Sequence, residues 1–170
     1  MGNWNSRRSK LFLGALQEMK LIAHRGNLTG PNPVRENSID YIDEAIAEGF
    51  DVEIDLRVEG NKCYLGHDES QYSVTLEWLR KYKDVLWIHC KNREALEKMS
   101  SASVQFNYFW HQEDDYTLTS KNHIWTYPGK EITQTSVVVM PEWETDIDEL
   151  GECKKILCYG ICSDYVSKLK

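Results

Sequence analysis

No apolar run approaches the roughly 20 residues that span a bilayer; the longest in the N-terminal stretch is LFLGAL, 11–16. A transmembrane segment is therefore not expected, and LFLGAL is too short, with no small-residue cleavage site after it, to read as an export signal despite Arg7-Arg8 ahead of it. There is no basic block and no basic-aromatic stripe, which argues against a nucleic-acid duplex as partner. Acidic residues outnumber basic ones 27 to 20, for a formal charge of -7. Clustered acids of that kind attract a divalent cation, which can in turn hold an anionic substrate. No CxxC pair occurs. The five cysteines, Cys63, Cys90, Cys153, Cys158 and Cys162, are odd in number and read as reduced thiols of a cytoplasmic protein rather than as disulfides or a zinc site. Internal repeats and low-complexity segments are absent too.

What is present is one domain's worth of chain: 170 residues, 41% hydrophobic. Residues 1–18 read as an amphipathic, helical leader and 19–170 as a single catalytic domain. The leader begins MGNWNS, which fits the Gly2/Ser6 pattern for N-myristoylation and is followed by Arg7, Arg8 and Lys10, so peripheral membrane contact is a weakly supported expectation.

The first half alternates strand and helix signals. LIAH (21–24) is a short apolar strand, followed by the turn-rich loop GNLTGPNP. Ile39, Ile42, Ala45 and Ile46 share one helical face, and Gly49 ends that helix. FDVEIDLRV, CYLG and DVLWIHCK read as strands, and TLEWLRKYK and NREALEKMSS as helices capped by Thr75 and Asn92. After residue 103 the texture changes. SVQFNYFWH, HIWTYP, SVVVMP and KKILCYGICS read as strands with little helical periodicity between them. Seven or eight strands alternating with helices predict an α/β fold, a compact TIM-type (β/α) barrel. Such barrels take ~250 residues and rarely fewer than ~200, so several outer helices must be shortened or missing in the second half. An open α/β sheet is the alternative.

Four clusters carry candidate chemistry: His24-Arg25-Gly26 at a strand end, Glu36-Asn37 opening a helix, Glu53-x-Asp55 in a strand, and His67-Asp68 after one. Each alone has an ordinary explanation, such as a structural histidine, an acid at a helix start, a solvated strand face or a turn. In a parallel α/β architecture, however, strand ends converge on one rim, where sites form. Carboxylates there suit magnesium or calcium, and two histidines can exchange protons with a phosphodiester's attacking and leaving oxygens near neutral pH.

The order HRGN, REN, DVEIDL, LGHD resembles the signature of the glycerophosphodiester phosphodiesterases, closely over residues 21–68. GICSDYV (160–166) is similar, more weakly, to that family's closing strand and its TDxP-like motif; residues 103–150 show no alignable resemblance. The resemblance implies metal-dependent hydrolysis of a small glycerophosphodiester to glycerol phosphate and an alcohol. It makes His24 and His67 the general acid/base pair, Glu53 and Asp55 ligands of one divalent metal with Glu36 beside it, and Arg25 a phosphate contact. The substrate's own glycerol hydroxyl attacks phosphorus, and water opens the cyclic product. The family's third strand carries Glu-x-Lys where this chain has His89-Cys90-Lys91. Lys91 keeps the phosphate contact; His89 stands where the third acidic ligand is expected. Imidazole there makes Mn2+ or Zn2+ acceptable beside Mg2+ or Ca2+. Two competing readings remain: a degenerate barrel that binds a phospho-ligand without turnover, and phospholipase D-like cleavage of a lipid. His111 with Glu113, Asp114 and Asp115 reads as a charged loop, Trp110, Trp125, Tyr127 and Trp143 as an alcohol-pocket wall or core, and Glu142 as a further rim carboxylate.

Overall fold

The computed structural model of the chain describes residues 19–170, so the leader and the myristoylation pattern lie outside the described residues. Ten strands form a single curled, mixed sheet: β1 (Lys20–His24), β2 (Asp51–Glu59), β3 (Lys62–Leu65), β4 (Tyr72–Val74), β5 (Leu86–Cys90), β6 (Asn107–Phe109), β7 (Tyr116–Leu118), β8 (Ile124–Thr126), β9 (Ser136–Val139) and β10 (Gly160–Ser163). β6, β5, β2, β1, β10, β9 and β8 run parallel in that lateral order. β7 adds antiparallel to β8, and the β3–β4 hairpin continues the edge of β2 beyond β1.

The TIM-type barrel expected from the strand count is not what forms. The sheet curls into a half-barrel, and no ladder joins β6 to β7. Among the described residues the α-helices, α1 (Ile39–Ala47), α2 (Leu76–Lys81) and α3 (Arg93–Ser100), all precede residue 101. Beyond residue 100 only short 3₁₀ turns occur, at Pro141–Trp143, Leu150–Lys155 and Val166–Leu169. A helical crossover between parallel strands needs a dozen or more residues; residues 127–135, between β8 and β9, offer too few, and the longer connection 140–159 holds only 3₁₀ turns. The edges at β6 and β7 are instead tied by hydroxyls: Thr117 Oγ1 donates to the Trp110 carbonyl at 2.8 Å, and Ser120 Oγ accepts from Tyr108 N at 2.9 Å.

The helices form where local signals agree. Thr75 Oγ1 accepts from Trp78 N and Asn92 Oδ1 from Ala95 N, each satisfying an amide the helix itself cannot. Asn92 also bridges both backbone groups of Val58, which locks α3 onto β2.

Side-chain alternation splits the core in two. Val52, Ile54, Leu56, Leu86, Ile88, Val138 and Ile161 pack outward against the helices and 3₁₀ turns. Ile22, Trp87, Phe109, Trp125, Val137 and Cys162 fill the concave side. There Phe109 and Trp125 sit 4.5 Å apart between ring centroids, a contact worth about 0.5–1.5 kcal/mol beyond its area. β2 is buried on both faces, so its alternating carboxylates point into the protein: Asp55 is fully buried and Glu53 is 1% exposed. Asp51, the first residue of β2, is tied by Lys20 Nζ at 3.1 Å and by Trp87 Nε1 at 3.1 Å, a structural arrangement. No helix among the described residues is long and apolar enough to cross a membrane. All five cysteines are unpaired, and four of them are buried.

Candidate metal centre and its histidines

Strand register assembles the site. β1 pairs His24 with Glu53, and β5 pairs His89 with Asp55, so four residues from three strands meet at one end of the sheet. The carboxyl ends of these strands border a cavity of about 680 Å³ lined by His24, Arg25, Glu36, Glu53, His67, His89, Lys91 and Asp164, among others. Seven of the eight residues expected from sequence to act in catalysis, phosphate contact or metal binding thus line one cavity. The eighth, Asp55, lies buried beneath it.

Ligand atoms of Glu53, Asp55 and His89 lie within 4.8 Å of one another. His89 Nδ1 is 3.3 Å from Asp55 Oδ1 and 3.6 Å from Glu53 Oε1. Its Nε2 is 2.8 Å from the His111 carbonyl, which can only accept, so that nitrogen carries a proton and Nδ1 is left facing the acids. Burial works against charge on His89, but the two carboxylates outweigh it and push the ring up to about 9. Burial likewise opposes ionisation of Asp55, yet His89, Arg25 and Asn37 together hold its carboxyl well below the usual range. The buried acids are thus balanced from several sides, by His89, Arg25 and Lys91.

The donor set fits a divalent cation. Glu53 Oε2 is buried without a hydrogen-bond partner, a state that costs about 1–3 kcal/mol, and Asp55 Oδ1 is faced only by His89 Nδ1 at 3.3 Å and by the more distant Lys91. Two hard oxygens and one imidazole nitrogen, the latter fixed from behind by a backbone carbonyl, match a cation that would displace the His89 proton. Glu36, the other expected ligand, is committed elsewhere. Its Oε2 accepts from Arg25 Nη1 at 3.1 Å and its Oε1 from Asn27 Nδ2 at 3.0 Å. Among the described residues, the cysteine trio forms no such ligand group.

Arg25 sits in a left-handed conformation, φ 53°. Its Nε lies 2.8 Å from Asp55 Oδ2, and Lys91 Nζ is 3.9 Å from Asp55 Oδ1. Both cations line the cavity beside the carboxylates, within reach of a bound anion. His67 reaches the cavity from the loop after β3. Gly66 makes that loop possible: at φ 148° a Cβ would come within 2.1 Å of the Glu69 carbonyl oxygen. Arg57 clamps the turn by donating to the carbonyls of Gly66 and His67 at 3.2 and 2.6 Å.

Three contributors went unassigned in the sequence reading. Asn37, φ 63°, accepts the Asp55 amide proton and donates to Asp55 Oδ2, each at 2.9 Å. Asn27 is fully buried and bridges Glu36 to Asp164. Asp164 lies 2.8 Å from His24 Nδ1. HRGN, REN and GICSDYV contained all three, but nothing in those strings says which side chain turns inward. For His24, burial lowers the tendency to protonate, and the Asp164 hydrogen bond with nearby Glu53 raises it above the ordinary value. Glu142 does not line the cavity; its Oε1 accepts the Asp164 backbone N–H at 2.7 Å, and burial raises its carboxyl. His111, Gln112 and Glu113 do line it, as do Trp125, Tyr127 and Trp143, whereas Trp110 packs on the outer core.

No family model, no curated protein and no solved structure matches the chain.

Proposed function

We propose that the protein is a metal-dependent phosphodiester hydrolase acting on a small glycerophosphodiester. One observation carries the reading: His24, His67, Arg25 and Lys91 border a single cavity together with Glu53 and His89 of the cation site, whose Asp55 lies beneath it. Each has a separate task in phosphoryl transfer. Arg25 and Lys91 hold the non-bridging oxygens by charge and hydrogen bonding. His24 Nε2 takes the proton of the attacking glycerol hydroxyl while His67 gives one to the departing alkoxide. The product of that step is a cyclic phosphate. In the second step the roles reverse: His67 deprotonates a water, His24 returns its proton to the glycerol oxygen, and the ring opens to glycerol phosphate. Each proton transfer is worth about 10²–10⁴-fold. When bound at Glu53, Asp55 and His89, a divalent cation neutralises phosphoryl charge. The unpaired thiols agree with a reducing, cytoplasmic setting.

The test is hydrolysis of glycerophosphocholine or an aryl phosphodiester by the purified chain with Mg2+, Ca2+, Mn2+ or Zn2+. Turnover that chelator abolishes supports the reading; no turnover with any metal or diester overturns it. A second reading, binding of a phospho-ligand without turnover, draws on the commitment of Glu36 to Arg25 and Asn27 and on His89 in place of an acid. Calorimetric binding of glycerol phosphate by a protein that hydrolyses nothing separates it from the first.

A further inference from the structure

We infer that Asp164 is a positioning residue for His24, and that Asn27 and Glu142 exist to hold Asp164 in place. This rests on the hydrolase reading in so far as His24 is the base, but the contacts themselves do not. His24 and Asp164 stand 140 positions apart in the chain, joined because β1 and β10 are adjacent parallel strands. A single oxygen, Asp164 Oδ1, accepts from His24 Nδ1 at 2.8 Å and from Asn27 Nδ2 at 2.7 Å. Asn27 cannot turn its amide over, because its Oδ1 already accepts the Asn32 amide proton at 3.1 Å and its Nδ2 also donates to Glu36. From the other side Glu142 Oε1 accepts the backbone N–H of Asp164 at 2.7 Å. Asp164 is thus fixed both by its side chain and by its main chain.

The chemical consequence is a choice of tautomer. A carboxylate oxygen accepts, so the neutral ring carries its proton on Nδ1 and presents the lone pair of Nε2. That atom is the one on the Glu53 side, 3.9 Å from Glu53 Oε2, where a reacting hydroxyl would lie. Without the acceptor, imidazole reverts to its intrinsic preference for a proton on Nε2, and the base is lost although the ring remains. Because one oxygen makes both contacts, an amide oxygen can stand in for it.

The experiment compares Asp164→Ala and Asp164→Asn in the full chain with saturating metal, each also in a His24→Ala background. Asp164→Ala should lower kcat by up to about 10⁴-fold, the scale seen when a base histidine loses its orienting acid. KM and the half-saturating metal concentration should stay within about twofold, and Asp164→Asn should recover most of the loss. In the His24→Ala background Asp164→Ala should cost nothing further. Long-range 1H–15N correlation spectra of the His24 ring at alkaline pH should show Nδ1–H in the parent and Asp164→Asn, and Nε2–H in Asp164→Ala. Equal losses in both backgrounds, an unchanged tautomer in Asp164→Ala, or Asn as damaging as Ala would each overturn the inference. If Asp164→Ala does not fold, Asp164→Leu, close in shape to the acid, takes its place. A parent chain that hydrolyses no diester removes the hydrolase reading alone; the ring spectra then decide the role of Asp164.

Discussion

His24 and His67 each set Nδ1 against an aspartate, at 2.8 and 2.7 Å, yet the two pairs are physically unlike. In the first, the side chains are 18% and 9% exposed; in the second, 40% and 93%. Asp164 directly follows β10, the strand beside β1, and is tied by Asn27 and Glu142, whereas Asp68 is the next residue in the chain after His67. Equal distances therefore do not mean equal constraint. An exposed neighbouring pair contributes little because water screens it, and solvent can replace the acid. A buried and cross-linked pair holds its ring in one orientation. The difference teaches that one wall of the cavity, from Asp164 through His24 to Glu53, Asp55 and His89, is pre-organised, and that the His67 side is adaptable.

The largest test of that contrast is Asp55→Ala on the buried wall. It strips Arg25, Asn37 and His89 of their common partner, so hydrolysis should fall by more than about 10³-fold. Metal-free stability should drop by about 3–5 kcal/mol, the usual cost of breaking a buried pair. Denaturant unfolding alongside turnover checks both, and near-normal stability would mean the wall is not built on Asp55.

Removing either ring comes next. His24→Ala and His67→Ala should each lower kcat by about 10²–10⁴-fold. Only the former should also disturb stability, because only His24 is buried with its acid. Matched kinetics and melting curves on the two variants decide it.

A third prediction follows pH. The His89 ring is pushed up to about 9 from an unfolded value near 6.5. A raised folded value stabilises below the unfolded one and is lost as pH rises through the folded one. Metal-free protein should therefore lose on the order of 3 kcal/mol between about pH 6.5 and pH 9. His89→Leu should flatten that slope, and metal binding near neutral pH should release a proton, readable in buffers of different ionisation enthalpy. A slope that survives the substitution assigns it to another group.

The smallest effect belongs to the exposed pair. Asp68→Ala should lower kcat by no more than about tenfold, set against the loss of up to about 10⁴-fold expected of Asp164→Ala. Equal losses would erase the distinction between the two walls.

Much of this was legible locally. The helix starts at Thr75 and Asn92 and the alternation in DVEIDL are short-range features, fixed by dihedral preference and side-chain period. The strands β4 and β7, three residues each, are too short to show a period and escaped notice. KKILCYGICS read as one strand, but Lys154 and Lys155 belong to a 3₁₀ turn and only Gly160–Ser163 pair.

The chain by itself determined which residue types stand at the strand ends, because period and turn chemistry act over a few positions. Only tertiary structure decided that the acidic face of β2 is buried rather than wet, since that depends on the sheet curling over it. Closure was likewise a global matter, because it depends on whether β6 and β7, at opposite edges of the sheet, pair, and they do not. The partnership of His24 with Asp164 spans nearly the whole chain. No local pattern encodes a contact between residues so far apart; strand order and register create it.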